Sequence, residues 1–196
     1  MIGSQVHAVL KTPGVANLNK KLVIEYGKKR RSITNFDMFL GHTQAPTSEK
    51  RNFSPSTSHP FQCKEWLIAH NGVLSNDKEL KKLIKDKKSY NTVDSSVIPP
   101  LINIKVKEAG DEVAGICNAL SLLKGTFGVW IYNQKTGNIF VARSGSTVFA
   151  NFLTNDFSSL KEKDFVQLEE GVLYLLTKEG ITSVGIFKTN SPFFSQ

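Results

Sequence analysis

Cysteine is scarce: Cys63 and Cys117 are the two among 196 residues. Two thiols make neither a disulfide framework nor a zinc site. The four histidines, His7, His42, His59 and His70, lack the spacing of a metal-binding helix. Neither a Walker-type phosphate loop nor a glycine-rich dinucleotide fingerprint occurs, so no cofactor and no metal is expected. No apolar run approaches the roughly 18 residues that would cross a bilayer. Residues 1–15 lack the continuous apolar stretch of a signal peptide. A cytoplasmic protein without membrane contact is therefore expected. Internal repeats and long linkers are also missing, which leaves a single domain over residues 1–196.

Acidic residues are outnumbered by basic ones, 17 to 25, and the net charge is +8. Lys28-Lys29-Arg30-Arg31 is the sharpest basic cluster, and the lysines over 81–88 form a second. The first ends an expected helix, where positive charge complements the macrodipole. The second lies opposite an apolar stripe of Leu80, Leu83 and Ile84, which reads as a solvated helix face. Nucleic-acid binding thus has charge alone in its favour. Hydrophobic residues at 40% and charged residues at 21% are ordinary for a globular chain. Thirteen Phe point to a core with aromatic layers.

Periodicity sets out the elements. Residues 5–11 read as a strand and 15–28 as a helix with Val15, Leu18, Leu22 and Tyr26 on one face. Short apolar runs at 36–40 and 66–69 read as buried strands that end at Gly41-His42-Thr43 and at His70-Asn71-Gly72. The Pro, Ser and Thr cluster between them reads as loop, Cys63 included. Asn76 is placed to cap a helix, with Glu79 as its capping-box partner. Asp94, Ser95 and Ser96 are cap-type residues before a segment that Pro99-Pro100 must open or kink. Val113, Ile116, Cys117 and Leu120 share a helical face, which makes Cys117 a small core residue. Strands follow over 126–133, from Ile139, near 147–153, and on either side of Lys178-Glu179-Gly180. Helices set among strands fit a layered α+β domain.

The ordered succession from residue 41 onwards resembles the glutaminase domain of class II glutamine amidotransferases. The matching residues are His42-Thr43-Gln44, His59-Pro60, His70-Asn71-Gly72, Leu80 in NDKEL, Asp94 in TVDSSVI, the LKGTFGVW and ARSG segments, and GVLYLLTKEGI. The resemblance covers roughly residues 36–182, and the succession is far more specific than any one motif. It implies a four-layer αββα sandwich of the N-terminal-nucleophile hydrolase type. It also implies an activity, release of ammonia from the glutamine side chain. Asn71 and Gly72 would form the oxyanion hole through a side-chain NH2 and a backbone N–H. Asp94 would pair with the substrate ammonium, and Gln44, Thr47 and Ser48 would meet its carboxylate. His-Asn-Gly read by itself is a turn signal. For His42 and His70 the expected role is hydrogen bonding that fixes strand tips.

Two departures qualify what the resemblance implies. The family nucleophile is an N-terminal cysteine whose own amine serves as base, whereas position 2 here is Ile2, and an alkyl chain cannot attack a carbonyl. The family carries Arg where this chain has Gln44, a neutral amide in place of a charged fork. The family's first strand, helix and Arg-Gly-x-Asp-like turn have no match before Leu40. The resemblance thus implies a missing N-terminal piece, lost or supplied by another chain, and an exposed sheet edge that a partner chain or self-association would cover. Without that piece this chain is expected to be inactive, with glutamine or a similar small molecule as ligand. A non-catalytic descendant that binds an amino-acid-like ligand or a protein partner is the alternative. Cys63 as a displaced nucleophile lacks the activating terminal amine.

Overall fold

A computed structural model describes residues 40–42 and 54–190. These divide between two compact units, Met1–Pro60 and Phe61–Gln196. The strands and helix expected within residues 5–39 lie outside the described residues. In the first unit, Ser54 precedes a short 3-10 turn, Pro55–Thr57. Its backbone N–H donates to Thr57 Oγ1 (2.9 Å). The His42 and His59 rings lie 4.2 Å apart, centre to centre, at a tilt of 50°. The His59-Pro60 bond is cis.

The described residues of the second unit form an antiparallel six-stranded sheet and a smaller three-stranded one. The large sheet contains β1 (Phe61–Cys63), β2 (Trp66–Leu74), β3 (Gly125–Asn133), β4 (Ile139–Ser144), β8 (Val172–Thr177) and β9 (Gly180–Ile186), in the order β1-β2-β3-β4-β8-β9. The small sheet is β6-β5-β7, built from β5 (Phe149–Asn151), β6 (Asp156–Ser158) and β7 (Val166–Gln167). The helices are α1 (Asp77–Leu83), α2 (Ile98–Ala109) and α3 (Glu112–Leu120). Helix α2 packs on β1 and β2, and α3 packs on β9. The core lies between this helical layer and the sheet, with Ile68, Ile98, Leu101, Ile102, Ile116, Leu120 and Phe140 fully buried. The architecture is α+β, as the alternation of periods predicts.

The local structure has identifiable physical causes. Pro99 and Pro100 fall in the first turn of α2, where a missing N–H is harmless. Gly110 ends α2 in the left-handed conformation, and Asp111 then caps α3 by accepting from Ala114 N (2.7 Å). Ile116, Cys117 and Leu120 are buried on the inner face of α3. Phe127 and Phe187 stack in the core at 5.8 Å.

Three expectations are corrected. Asn76 stands at the N-cap position of α1 but makes no side-chain cap. Its amide instead donates to Leu122 O (2.9 Å) and accepts from Lys124 N (3.0 Å). The side chain is buried, and a distant strand connection outcompetes the local box, while Glu79 pairs with Lys124 (3.3 Å). Leu83 is exposed, because α1 ends there and the apolar stripe narrows to Leu80 and Ile84. Cys63 lies in β1, paired with Trp66 across a tight connection, and not in a loop. Its polar and Pro-rich surroundings hid a three-residue strand, the end strand of the large sheet among the described residues.

Candidate functional site

The sequence places a strand end at Ala69, but β2 runs on through His70, Asn71, Gly72 and Val73 to Leu74. It pairs with β3 along its whole length, Asn71 opposite Gly128 and Gly72 opposite Phe127. Asn71-Gly72 is therefore neither a strand end nor a turn. Two glycines make the continuation possible. Gly72 has φ +143°, and a Cβ there would stand 2.0 Å from the Thr126 carbonyl oxygen. Gly125, opposite Leu74, has φ +126° and would bring a Cβ 2.1 Å from Val73 O. Side-chain-bearing residues rarely adopt such φ values, and here the facing backbone also excludes them.

Asp94 comes to this segment from 20 residues further along. Its carboxylate Oδ2 accepts from Leu74 N (2.9 Å), and Oδ1 accepts from Ser95 N (2.8 Å) and lies 3.2 Å from Ser95 Oγ. The 3-10 turn Asp94–Val97 that carries it is closed by Ser96, whose hydroxyl donates to Val93 O (2.6 Å) and accepts from Asn91 N (3.0 Å). Ser95 Oγ meets His70 Nδ1 at 2.8 Å, and His70 Nε2 lies 3.2 Å from Thr126 O. Burial pushes the His70 imidazole below its usual pKa, against the opposing pull of the Asp94 charge and the Thr126 carbonyl. His70 thus hydrogen-bonds as expected, but from inside a strand and not from its tip.

Asn71 is exposed, and no hydrogen bond engages its amide among the described residues. Strand alternation turns it to the face opposite His70. On that face Gly128 lies beside it, and Arg143 follows opposite Gly128 on β4. A Cβ on Gly128 would strike Val148 (2.7 Å) and approach Thr147 O (3.3 Å), so residues 146–148 cross directly over it. Arg143 holds that crossing by donating to Ser146 O (2.9 Å) and Leu168 O (2.6 Å). Glu170 accepts from Gly145 N (3.0 Å) behind it. Sequence reasoning saw the ARSG motif as a family mark and missed this work. A buried-strand arginine with two carbonyl partners becomes visible only through its neighbours.

Neither thiol is poised as a nucleophile. Burial raises the pKa of Cys63, and it does the same for Cys117 with Asp111 adding to it. Both stay protonated at neutral pH. Among the described residues, no group of His, Cys, Asp and Glu could hold a metal ion. Gln44, Thr47 and Ser48 lie outside the described residues.

The arrangement is a β-strand that presents an exposed amide and a backbone shaped by glycine, with a carboxylate held at its end by two backbone N–H donors. Comparison with solved structures shows an α+β fold shared with class II glutamine amidotransferase domains. A glutamine aminotransferase class-II domain protein from Silicibacter pomeroyi superposes with a TM-score of 0.51 at 19% identity, over 66% of this chain and 71% of that one. Glutamine phosphoribosylpyrophosphate amidotransferase from B. subtilis matches with a TM-score of 0.51 at 22% identity, over 67% of this chain and 32% of that one. A family model described as a glutamine amidotransferase domain matches residues 51–157. The chain belongs to this family. Glutamine--fructose-6-phosphate aminotransferase of Francisella tularensis is 33% identical over 172 residues, which is 81% of this chain and 28% of the relative. The Listeria monocytogenes enzyme of the same description is 30% identical over 188 residues, 86% of this chain and 31% of the relative. This chain therefore spans under a third of the length of these relatives.

Proposed function

We propose that this chain is a glutaminase domain whose site takes the glutamine side-chain amide at Asn71-Gly72 and the α-ammonium at Asp94. The observation that carries the reading is the bond from Leu74 N–H to the Asp94 carboxylate (2.9 Å). It brings Asp94 to the end of β2, at Leu74, two residues beyond the Asn71-Gly72 pair. The free Asn71 amide and the Gly72 backbone supply neutral donors for an oxyanion.

The nucleophile is assigned to a cysteine with a free α-amine from outside residues 1–196, because burial keeps Cys63 and Cys117 protonated and neither carries an α-amine of its own as base. The segment that brings it, or a further domain that consumes the ammonia, is the partner we assign. The extra length of the matched relatives supports this. A second copy of the chain is the other partner we consider. The free thiols of Cys63 and Cys117 fit the reducing cytoplasm.

An ammonia-release assay on the 196-residue chain tests the reading. No turnover of glutamine is expected. Turnover that disappears in Cys63→Ser would overturn the assignment of the nucleophile to another segment.

A further inference from the structure

The His70 ring fixes where one proton must go. Thr126 O can only accept, so the 3.2 Å approach of His70 Nε2 is a hydrogen bond only when Nε2 carries the proton. A buried neutral imidazole has one N–H, which leaves Nδ1 as an acceptor. The group facing Nδ1 at 2.8 Å is the Ser95 hydroxyl. That hydroxyl has a single proton and a second acceptor within reach, Asp94 Oδ1 at 3.2 Å. The shorter contact takes it.

We propose that His70 and Ser95 are positioning residues for Asp94: His70 holds the only hydroxyl proton of Ser95, so the Asp94 carboxylate keeps acceptor positions open for an ammonium group. An ionised carboxylate has about four acceptor positions. With the hydroxyl turned away, Asp94 accepts from Ser95 N and from Leu74 N, one bond on each oxygen. Roughly two positions then remain for the three donors of an ammonium. Without the His70 acceptor the hydroxyl would turn to Oδ1 and fill one of them. The chain of contacts also joins β2, β3 and the 3-10 turn, so the carboxylate is oriented and kept available by the same two residues. The ammonium is that of glutamine only on the reading given under Proposed function. The state of the carboxylate is independent of it.

Three measurements test this. In 15N NMR of the histidine-labelled chain at pH 7.5, His70 is expected to be neutral with its proton on Nε2. A proton on Nδ1 with Nε2 bare would overturn the proposal. The Asp94 carboxyl titration, followed by 13C NMR, needs no ligand. In His70→Phe it is expected to move to lower pH, because the released hydroxyl now donates to the charged form. Adding Ser95→Ala to that variant is expected to move it back. A purely structural role for His70 predicts no such reversal, and its absence in a folded double variant would overturn the proposal. Finally, L-glutamine affinity is expected to fall about tenfold in His70→Phe and to return to within about twofold in the double variant. Failure of L-glutamine to bind the unmodified chain at all would overturn the glutamine reading, while the tautomer and carboxyl titration still decide the positioning roles. Should His70→Phe fail to fold, the tautomer of the unmodified chain decides alone.

Discussion

Residues 66–69 and residues 70–74 are two halves of one strand, built on different terms. Trp66, Leu67, Ile68 and Ala69 are all buried, and burial of apolar surface holds them. In the second half Asn71 and Val73 are exposed, His70 is buried but polar, and Gly72 has a backbone that side-chain-bearing residues avoid. That half stays in the sheet because its partner strand is shaped to match, with Gly125 opposite Leu74 and the Thr126 carbonyl against Gly72. It stays also because Asp94 and Ser95 grip it from outside the sheet. A strand can thus continue beyond its apolar half when facing backbone and polar neighbours fix what burial does not.

The comparison breaks most sharply at Gly72. Gly72→Ala places a methyl against the Thr126 carbonyl at an unfavourable φ, and backbone cannot yield as a side chain can. A loss of about 4 kcal/mol or more in chemical denaturation is expected. A loss below 1 kcal/mol would mean that the second half of β2 does not need this backbone. Ile68→Ala probes the first half. Ile68 is fully buried under α2, and truncation is expected to cost about 3 kcal/mol, through lost transfer and a cavity. The two losses arise differently. Ile68→Val should recover most of the second, whereas no side chain of any size recovers the first.

This contrast also explains what was legible in sequence. Apolar runs announced the first half of β2, the body of β3 and the inner face of α3. They are legible because one residue's preference for burial suffices to place it. His70-Asn71-Gly72 was legible as a site motif but not as strand, since its pairing depends on Gly125 and Thr126, more than 50 residues away. Asn76 taught the same lesson. Its local role as a cap gave way to partners at Leu122 and Lys124. Asp111, with no such competitor, capped α3 as its type predicts. The work of Arg143 and Ser95 was hidden for that reason too: each acts through contacts made across strands or layers, and neither has a pattern of its own.

A smaller effect is expected from pH. The pKa of His70 is lower in the folded chain than the ordinary value of 6.5, with burial as the first cause. The unfolded chain therefore binds a proton more readily at this position. Stability from this group is complete above pH 6.5 and declines as pH falls from there towards the folded value. The decline should be visible in denaturation midpoints taken between pH 7.5 and pH 5, and absent in His70→Gln. An equal decline in that variant would assign it to carboxylates elsewhere.

The smallest effect on stability belongs to Asn71, and it separates the two halves most cleanly. The side chain is exposed, makes no hydrogen bond among the described residues, and faces the side of β2 away from His70. Nothing in the second half of the strand leans on it. Asn71→Ala should change the unfolding free energy by less than about 0.5 kcal/mol, the range of an exposed position without special contacts. On the reading under Proposed function, this amide is the oxyanion donor, and no other partner engages it among the described residues. A destabilisation above 1.5 kcal/mol would show that Asn71 serves the sheet itself, and would remove the main reason for placing the oxyanion there.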